Sequence, residues 1–199
     1  MSALPGRPLR CKAGDILFRP ESQCQGFVIV KSGTIRVSIT GANVRELVLY
    51  RVNAGDVCLQ TFACLTEGRT YTAEGVAETE LDAEIIPISA YRQRLAEDEA
   101  FREMIFRAVA HRFSDFEHLV TSLALTGIEA RLADALLTLA DHSGDIHATH
   151  ETLASEIGSA REVVSRQLAK MVSAGLVRLS RGKIQILSRV GLERISQAL

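Results

Sequence analysis

The tail of the chain leaves the least freedom to the fold. It reads "THETLASEIGSAREVVSRQLAKMVSAGLVRLSRGKIQILSRVGLERIS" from Thr149 to Ser196. Thr149 opens a short helical run, "HETLASEI", and Gly158 breaks it. Ser159-Ala160-Arg161-Glu162 has the spacing of a capping box, a hydroxyl followed three residues later by a carboxylate. It opens a second helix, "REVVSRQLAKMVSAG", which Gly175 closes. "LVRLSRGKIQIL" then alternates around Arg181-Gly182 and predicts a small β-hairpin. Helix, Gly turn, helix and hairpin form the layout of a winged helix-turn-helix.

Charge gives this layout a purpose. The whole chain of 199 residues carries a net charge of −1, so no global basic field exists. Between Ser159 and Arg189, however, seven basic residues stand against one acidic, a local balance of +6. Duplex DNA rewards such a face through counterion release. On the second helix Val164, Leu168, Met171 and Val172 make the core stripe, which leaves Arg161, Ser165 and Arg166 near the exposed N-terminal half. Arginine pairs bidentately with guanine, and glutamate accepts from cytosine. The candidate DNA contacts are Ser159, Arg161, Glu162, Ser165, Arg166, Lys170, Arg181 and Lys183. The bland alternatives are a solvated helix face for the arginines and a capping carboxylate for Glu162.

Upstream the pattern is helical from about Ser89. "DEAFREMIFRAVAHRFSDFEHLVTSLAL" repeats apolar residues in steps of three and four, the pattern of a long amphipathic helix. A helix of this length is marginal alone, and its stripe suits a second copy of the chain. Ile105, Val109, Phe113, Phe116, Val120 and Leu123 are the expected dimer contacts; packing on the chain's own first half is the alternative. Thr126 and Glu129 form another capping-box spacing, and "ARLADALLTLADHSG" reads as a helix ending at Gly144.

The first half reads as β-structure. "DILFRP", "GFVIVKSG", "TIRVSIT", "ELVLYRV" and "TYTAEGVAE" are short β-rich runs punctuated by glycine. "AGDILF" (13–18) and "AGDVCL" (54–59) match each other and suggest two similar corners of a roll or barrel. The expected domains are a β-roll over 1–97, a long dimerisation helix over 98–125 and a winged helix-turn-helix over 126–199.

Taken together, these segments resemble the CRP/FNR superfamily of bacterial transcription regulators from Asp15 to Ile195. The likeness is strongest in "IGSAREVVSRQLAKMVSAGLVRLSRGKIQI". It implies an α+β protein: an N-terminal double-stranded β-roll, cupin-like and of the cyclic-nucleotide-binding type, then the long helix and the winged head. It also implies Glu162, Ser165 and Arg166 as base readers, with Arg161 at a base or phosphate. The expected partner is double-stranded DNA, an inverted repeat with TTGA or TGTGA-like half-sites, with RNA polymerase added for an activator. Twofold symmetry independently asks for half-sites about one helical turn apart.

The resemblance also sets the sensor apart from its relatives. Rolls that bind cyclic AMP resemble G-E-[LI]-[AG] followed by R-[ST]-A, with the Glu on ribose and the Arg on phosphate. The matching stretches here are Leu59-Gln60-Thr61-Phe62 and Tyr71-Thr72-Ala73, and Arg69 is out of register. Phe116 and Glu117 stand where adenine would meet small hydroxyls. Cyclic AMP is therefore disfavoured. So is an iron–sulfur cluster, because only Cys11 and Cys24 precede Cys58 and no C-x-x-C occurs. Haem has no histidine in the roll to support it.

What occupies the cassette is Cys58 and Cys64, a C-x5-C pair similar to that of a subgroup of the superfamily. A continuous helix would hold two such residues about 9 Å apart, too far for a disulfide. A strand-to-turn-to-helix path could join them, and a helix N-terminus would favour a thiolate. A reversible disulfide, a persulfide or polysulfide bridge, and a soft metal all fit, with Cys24 as a third partner. Two thiolates without histidine make a poor zinc site, which favours reactive sulfur or oxidants. The alternative is two small buried hydrophobes, with regulation by a small molecule in the roll.

The other clusters are weaker. Asp141, His142, Asp145, His147 and His150 suggest a polar loop before a metal site, and His111 and His118 a solvated helix face. No nucleophile triad or phosphate-binding loop points to catalysis, and a thiol redox enzyme sits badly with the basic tail. The chain is expected to be a cytoplasmic homodimer, with no membrane segment, no resident cofactor and no enzymatic activity.

Overall fold

The computed structural model describes residues 6–41 and 46–197. They fall into two compact units, Met1–Ile39 with Leu49–Glu117, and Thr40–Val48 with His118–Leu199.

The first half builds two facing sheets. The strands are β1 (Arg7–Cys11), β2 (Ile16–Phe18), β3 (Phe27–Ser32), β4 (Ile35–Thr40), β5 (Glu46–Val52), β6 (Glu74–Ala77) and β7 (Leu81–Ile86). One sheet runs β1-β7-β3 and the other β2-β6-β4-β5. Alternation decides what faces inward. Ile35 and Val37 of β4, and Val48, Tyr50 and Val52 of β5, are buried, and their neighbours Arg36, Leu49 and Arg51 are less so. The roll's interior gathers Phe18, Val30, Ile35, Val37, Tyr50, Val52, Tyr71 and Leu81, together with Cys58 and Cys64.

The repeated "AGD" corners are built alike. Asp15 accepts at 2.8 Å from the Lys12 backbone N–H, and Asp56 accepts at 3.0 Å from the Asn53 N–H. In return the Asp15 N–H donates to Lys12 O and the Asp56 N–H to Asn53 O. Each turn needs the left-handed backbone of its glycine, Gly14 at φ 90 and Gly55 at φ 87.

Three helices accompany these strands: α1 (Leu59–Glu67), between β5 and β6, and, after β7, α2 (Ile88–Glu97) and α3 (Glu99–Leu125). The first turns of α3 bury Phe101 and Ile105 against Phe27, Ile86 and Tyr91. This corrects one expectation. Ile105 is 1% exposed inside its own chain, so it cannot be a dimer contact; Val109 packs on the same cluster.

The second unit holds α4 (Ile128–Leu139), β8 (Asp145–Ile146), α5 (His150–Ile157), α6 (Arg161–Ser173), β9 (Val177–Ser180), β10 (Lys183–Ile186) and α7 (Arg189–Ser196). A sheet β8-β10-β9 closes over a core of Leu132, Leu136, Ile146, Leu153, Leu168 and Leu192. Thr149 caps α5 as expected, accepting from the Thr152 N–H at 3.0 Å, and Gly158 ends it in the left-handed region.

Both capping boxes fail. The cap of α6 is Ala160 and that of α4 is Gly127, neither with a side-chain acceptor. Ser159 is committed elsewhere: its N–H donates to Ala154 O to close α5, and its side chain is buried. Two smaller corrections follow. Val172 is exposed rather than core, and α4 stops at Leu139, well short of Gly144.

Candidate nucleic-acid interface and sensor core

The second unit presents its charge on α6 and the hairpin. Val164, Leu168 and Met171 anchor α6 from below. That rotation leaves Arg161, Glu162, Arg166 and Lys170 exposed and Ser165 half-buried. Arg181 is exposed at the hairpin tip, whereas Lys183 is paired to Asp145 at 2.7 Å. Ser159, a candidate contact, is buried and has no open face to offer a duplex.

One pairing is invisible to the sequence reading. His150, the first residue of α5, places Nδ1 2.7 Å from Ser165 Oγ on α6. In sequence the two are fifteen residues apart, and His150 reads as part of a polar loop. Asp141 and Asp145 of that cluster close a turn on each other. Asp141 accepts from the N–H groups of Ser143 and Asp145, and these bonds hold its carboxyl below its usual range. Among the described residues no group of three His, Cys, Asp or Glu could hold a metal.

In the roll, Cys58 is the N-cap of α1 and Cys64 lies six residues along the same helix. The path between them is thus the continuous helix, and a rise of about 9 Å separates them. All four cysteines are free. Burial works against the expected thiolate at the helix N-terminus. Burial outweighs the backbone N–H groups near Cys58 and pushes its thiol up to about 11; burial does the same to Cys64, also to about 11.

Cys24 joins this core through two groups. Its sulfur accepts from the Tyr71 hydroxyl at 3.4 Å and lies 4.0 Å from Thr61 O. Thr61 in turn donates through Oγ1 to Cys58 O at 2.6 Å. Tyr71 is buried and stacked on Phe18 at 4.4 Å between ring centroids. Gln60 accepts from Thr72 Oγ1 at 3.3 Å. Arg69 is exposed and paired with Glu67.

The long helix holds a second group that its periodicity hides. Arg112 falls in the apolar stripe and is only 8% exposed. Its guanidinium lies 4.2 Å from the centroid of the Tyr50 ring and pairs with Asp115 at 2.8 Å. Phe116 meets the same ring edge-on at 6.0 Å. Burial raises the Tyr50 hydroxyl well above its ordinary range, with the Gln60 backbone beside it. Outward on α3, Phe106, Phe113 and Val120 are each more than 60% exposed. They recur every seven residues, a coiled-coil spacing. Phe106 is absent from the candidates read along the stripe, and a heptad count finds it.

Comparisons with known proteins agree with this anatomy. Residues 8–98 match the cyclic nucleotide-binding domain family and residues 130–195 the Crp-like helix-turn-helix domain family. A solved transcriptional regulator of the crp/fnr family from Eubacterium rectale is 32% identical, with a TM-score of 0.88 over 96% of this chain and 90% of that one. The transcriptional regulator SdrP of Thermus thermophilus is 26% identical over 94% of this chain and 93% of its own length. A CRP-like cAMP-activated global transcriptional regulator of Mycobacterium tuberculosis is 25% identical over 92% of this chain and 84% of its own. Among the described residues no helix is long and apolar enough to cross a membrane. A cyclic-nucleotide-binding type of roll, a long helix and a DNA-binding winged head in one chain make this protein a member of the CRP/FNR family of transcription regulators.

Proposed function

We propose that the protein acts as a homodimer that reads an inverted repeat with TTGA or TGTGA-like half-sites. Glu162, Ser165 and Arg166 read base edges, Arg161 a base or phosphate, and Lys170 and Arg181 hold the backbone. The observation that carries this reading is the exposed run Arg161, Glu162, Arg166 on the first turns of α6. The heptad of Phe106, Phe113 and Val120 supports pairing through α3, because three large apolar side chains in water invite a second copy. An activator of this kind would also touch RNA polymerase. No catalytic role is proposed.

For the signal, the proposal is thiol chemistry at Cys58 and Cys64, with Cys24 as third member. Three thiols in one core beside Thr61 and Tyr71 support it. The closed helix between Cys58 and Cys64 means that a direct bond requires α1 to unwind, and that movement would carry the signal. Tyr50 links the same region to Arg112 of α3.

A second reading has its own support. Buried thiols with raised pKa values behave as core residues, and the roll contains a cavity of about 340 Å³ lined by Leu9, Phe18, Val28, Tyr71 and Ile85. A small molecule there would regulate without cysteine chemistry. Cyclic AMP is not proposed for the cassette itself, since Gln60 and Tyr71 offer neither a ribose carboxylate nor a phosphate cation.

Fluorescence anisotropy on a TTGA inverted repeat tests these readings. Reduced protein is compared with protein treated with polysulfide or peroxide, for wild type, Cys58→Ser and Cys64→Ser. Thiol sensing expects an affinity change in wild type that both variants lose. Equal binding in every form removes the thiols and leaves the cavity. Absence of binding to any varied site at low salt removes the DNA reading itself.

A further inference from the structure

The bond between His150 and Ser165 joins the first helix of the helix-turn-helix to the reading face of the second. Ser165 has one hydroxyl proton, and the direction in which it is spent decides what the oxygen offers outward. We propose that His150 is a positioning residue that sets the base preference of Ser165, and that its charge reverses that preference. The proposal rests on Ser165 facing a base.

The chemistry runs in two states. With a neutral ring protonated at Nε2, Nδ1 accepts the Ser165 proton at 2.7 Å. The serine oxygen is then left with lone pairs only, and it favours a base edge that donates, adenine N6 or cytosine N4. A protonated ring carries hydrogen on both nitrogens. Nδ1 now donates to Ser165 Oγ, the hydroxyl proton is released outward, and the favoured edge accepts, guanine O6 or N7 or thymine O4. Histidine side chains change charge in the range between pH 5 and 8.

The surroundings of the ring are mixed in charge. Glu151 comes from its own helix, Arg161 from α6, and Lys183 from β10, the last already paired to Asp145 of β8 at 2.7 Å. Leu179 and Ser180 of β9 complete the hollow and bring no charge.

The test measures anisotropy at pH 5.5 and pH 8, at one ionic strength, on duplexes carrying each base pair in turn at every half-site position. Wild type is expected to change its preference at one position by about fivefold, from adenine or cytosine at pH 8 to guanine or thymine at pH 5.5. His150→Gln keeps a polar side chain that cannot titrate, and His150→Ala removes it; both should lose the pH dependence of preference. A merely structural histidine would alter affinity for all sites together and leave the preference alone. If Ser165→Ala shifts a preference but pH does not, His150 has no such role and Ser165 remains a reader. If Ser165→Ala shifts no preference, the serine is no reader and the proposal falls with it.

Discussion

The winged head and the roll handle their polar groups in opposite ways. The head turns Arg161, Glu162, Arg166 and Lys170 outward on a helix whose other face is fully buried. The roll turns its chemistry inward: Cys58, Cys64, Tyr71 and Arg112 are all less than a tenth exposed. A surface that meets a polyanion works through charge in water and needs no rearrangement to be approached. A buried cluster reports on a signal only when the signal enters or the cover moves, so its reactivity is coupled to opening. In the proposed function the head is therefore the reader and the roll the gate.

The sharpest way to break this comparison is to remove what holds the reader's face outward. Leu168 is fully buried beneath α6. Leu168→Ala should cost the winged unit about 2–5 kcal/mol, measured by denaturant titration, with loss of DNA binding. Phe113→Ser, on an exposed site, should change stability by less than about 0.5 kcal/mol and instead shift sedimentation equilibrium toward monomer. A Leu168→Ala protein as stable as wild type would mean that α6 is not held by its core stripe.

The buried side of the comparison has a pH signature. Cys58 is raised from 9.0 to about 11 by burial. Below about pH 9 both folded and unfolded chains keep the thiol neutral, and its contribution is intact. Above that the unfolded chain ionises first, so stability falls as pH rises and the loss is complete near 11. Two pKa steps correspond to about 2–3 kcal/mol at most. Cys58→Ala should flatten the profile between pH 9 and 11. Tyr50 and Tyr71 shift in the same direction, so the difference between variant and wild type is the informative quantity. Identical slopes would place Cys58 in water and cancel the gate.

How much of the molecule is legible in its sequence depends on whether a signal is local. Strands β2 to β6 of the roll, Thr149 as a cap, Gly158 as a breaker and the Arg181-Gly182 hairpin can be read, because each rests on neighbours in sequence, whereas β1 and β7 lie outside the β-rich runs. So can the two "AGD" corners, since an aspartate three residues on can close its own turn. The capping boxes cannot, because a one-residue displacement moves the hydroxyl off the cap, and Ser159 is already used to end α5. Ile105 and Cys58 are misread for a different reason. A helical stripe does not say which neighbour covers it, nor a helix N-terminus how deep it lies. His150 and Ser165 meet only because α5 and α6 cross, and no short window of sequence holds both.

The smallest expected effects divide the reader itself. Arg166 and Arg181 are both exposed, one on α6 and one at the hairpin tip. An arginine that pairs with a guanine carries sequence information, and one that meets a phosphate does not. Arg166→Ala should weaken binding to the inverted repeat by about ten- to a hundredfold while leaving random duplex nearly untouched. Arg181→Ala should weaken both by a similar few-fold factor. The slope of log K against log salt should then become shallower by about one for each phosphate that Arg181 no longer neutralises. Titrations at several salt concentrations, on specific and random duplex, separate the two. If Arg181→Ala lowers specific binding alone, the wing reads bases as well. If Arg166→Ala lowers both equally, α6 lies along the phosphate backbone and its exposed face does not enter the groove.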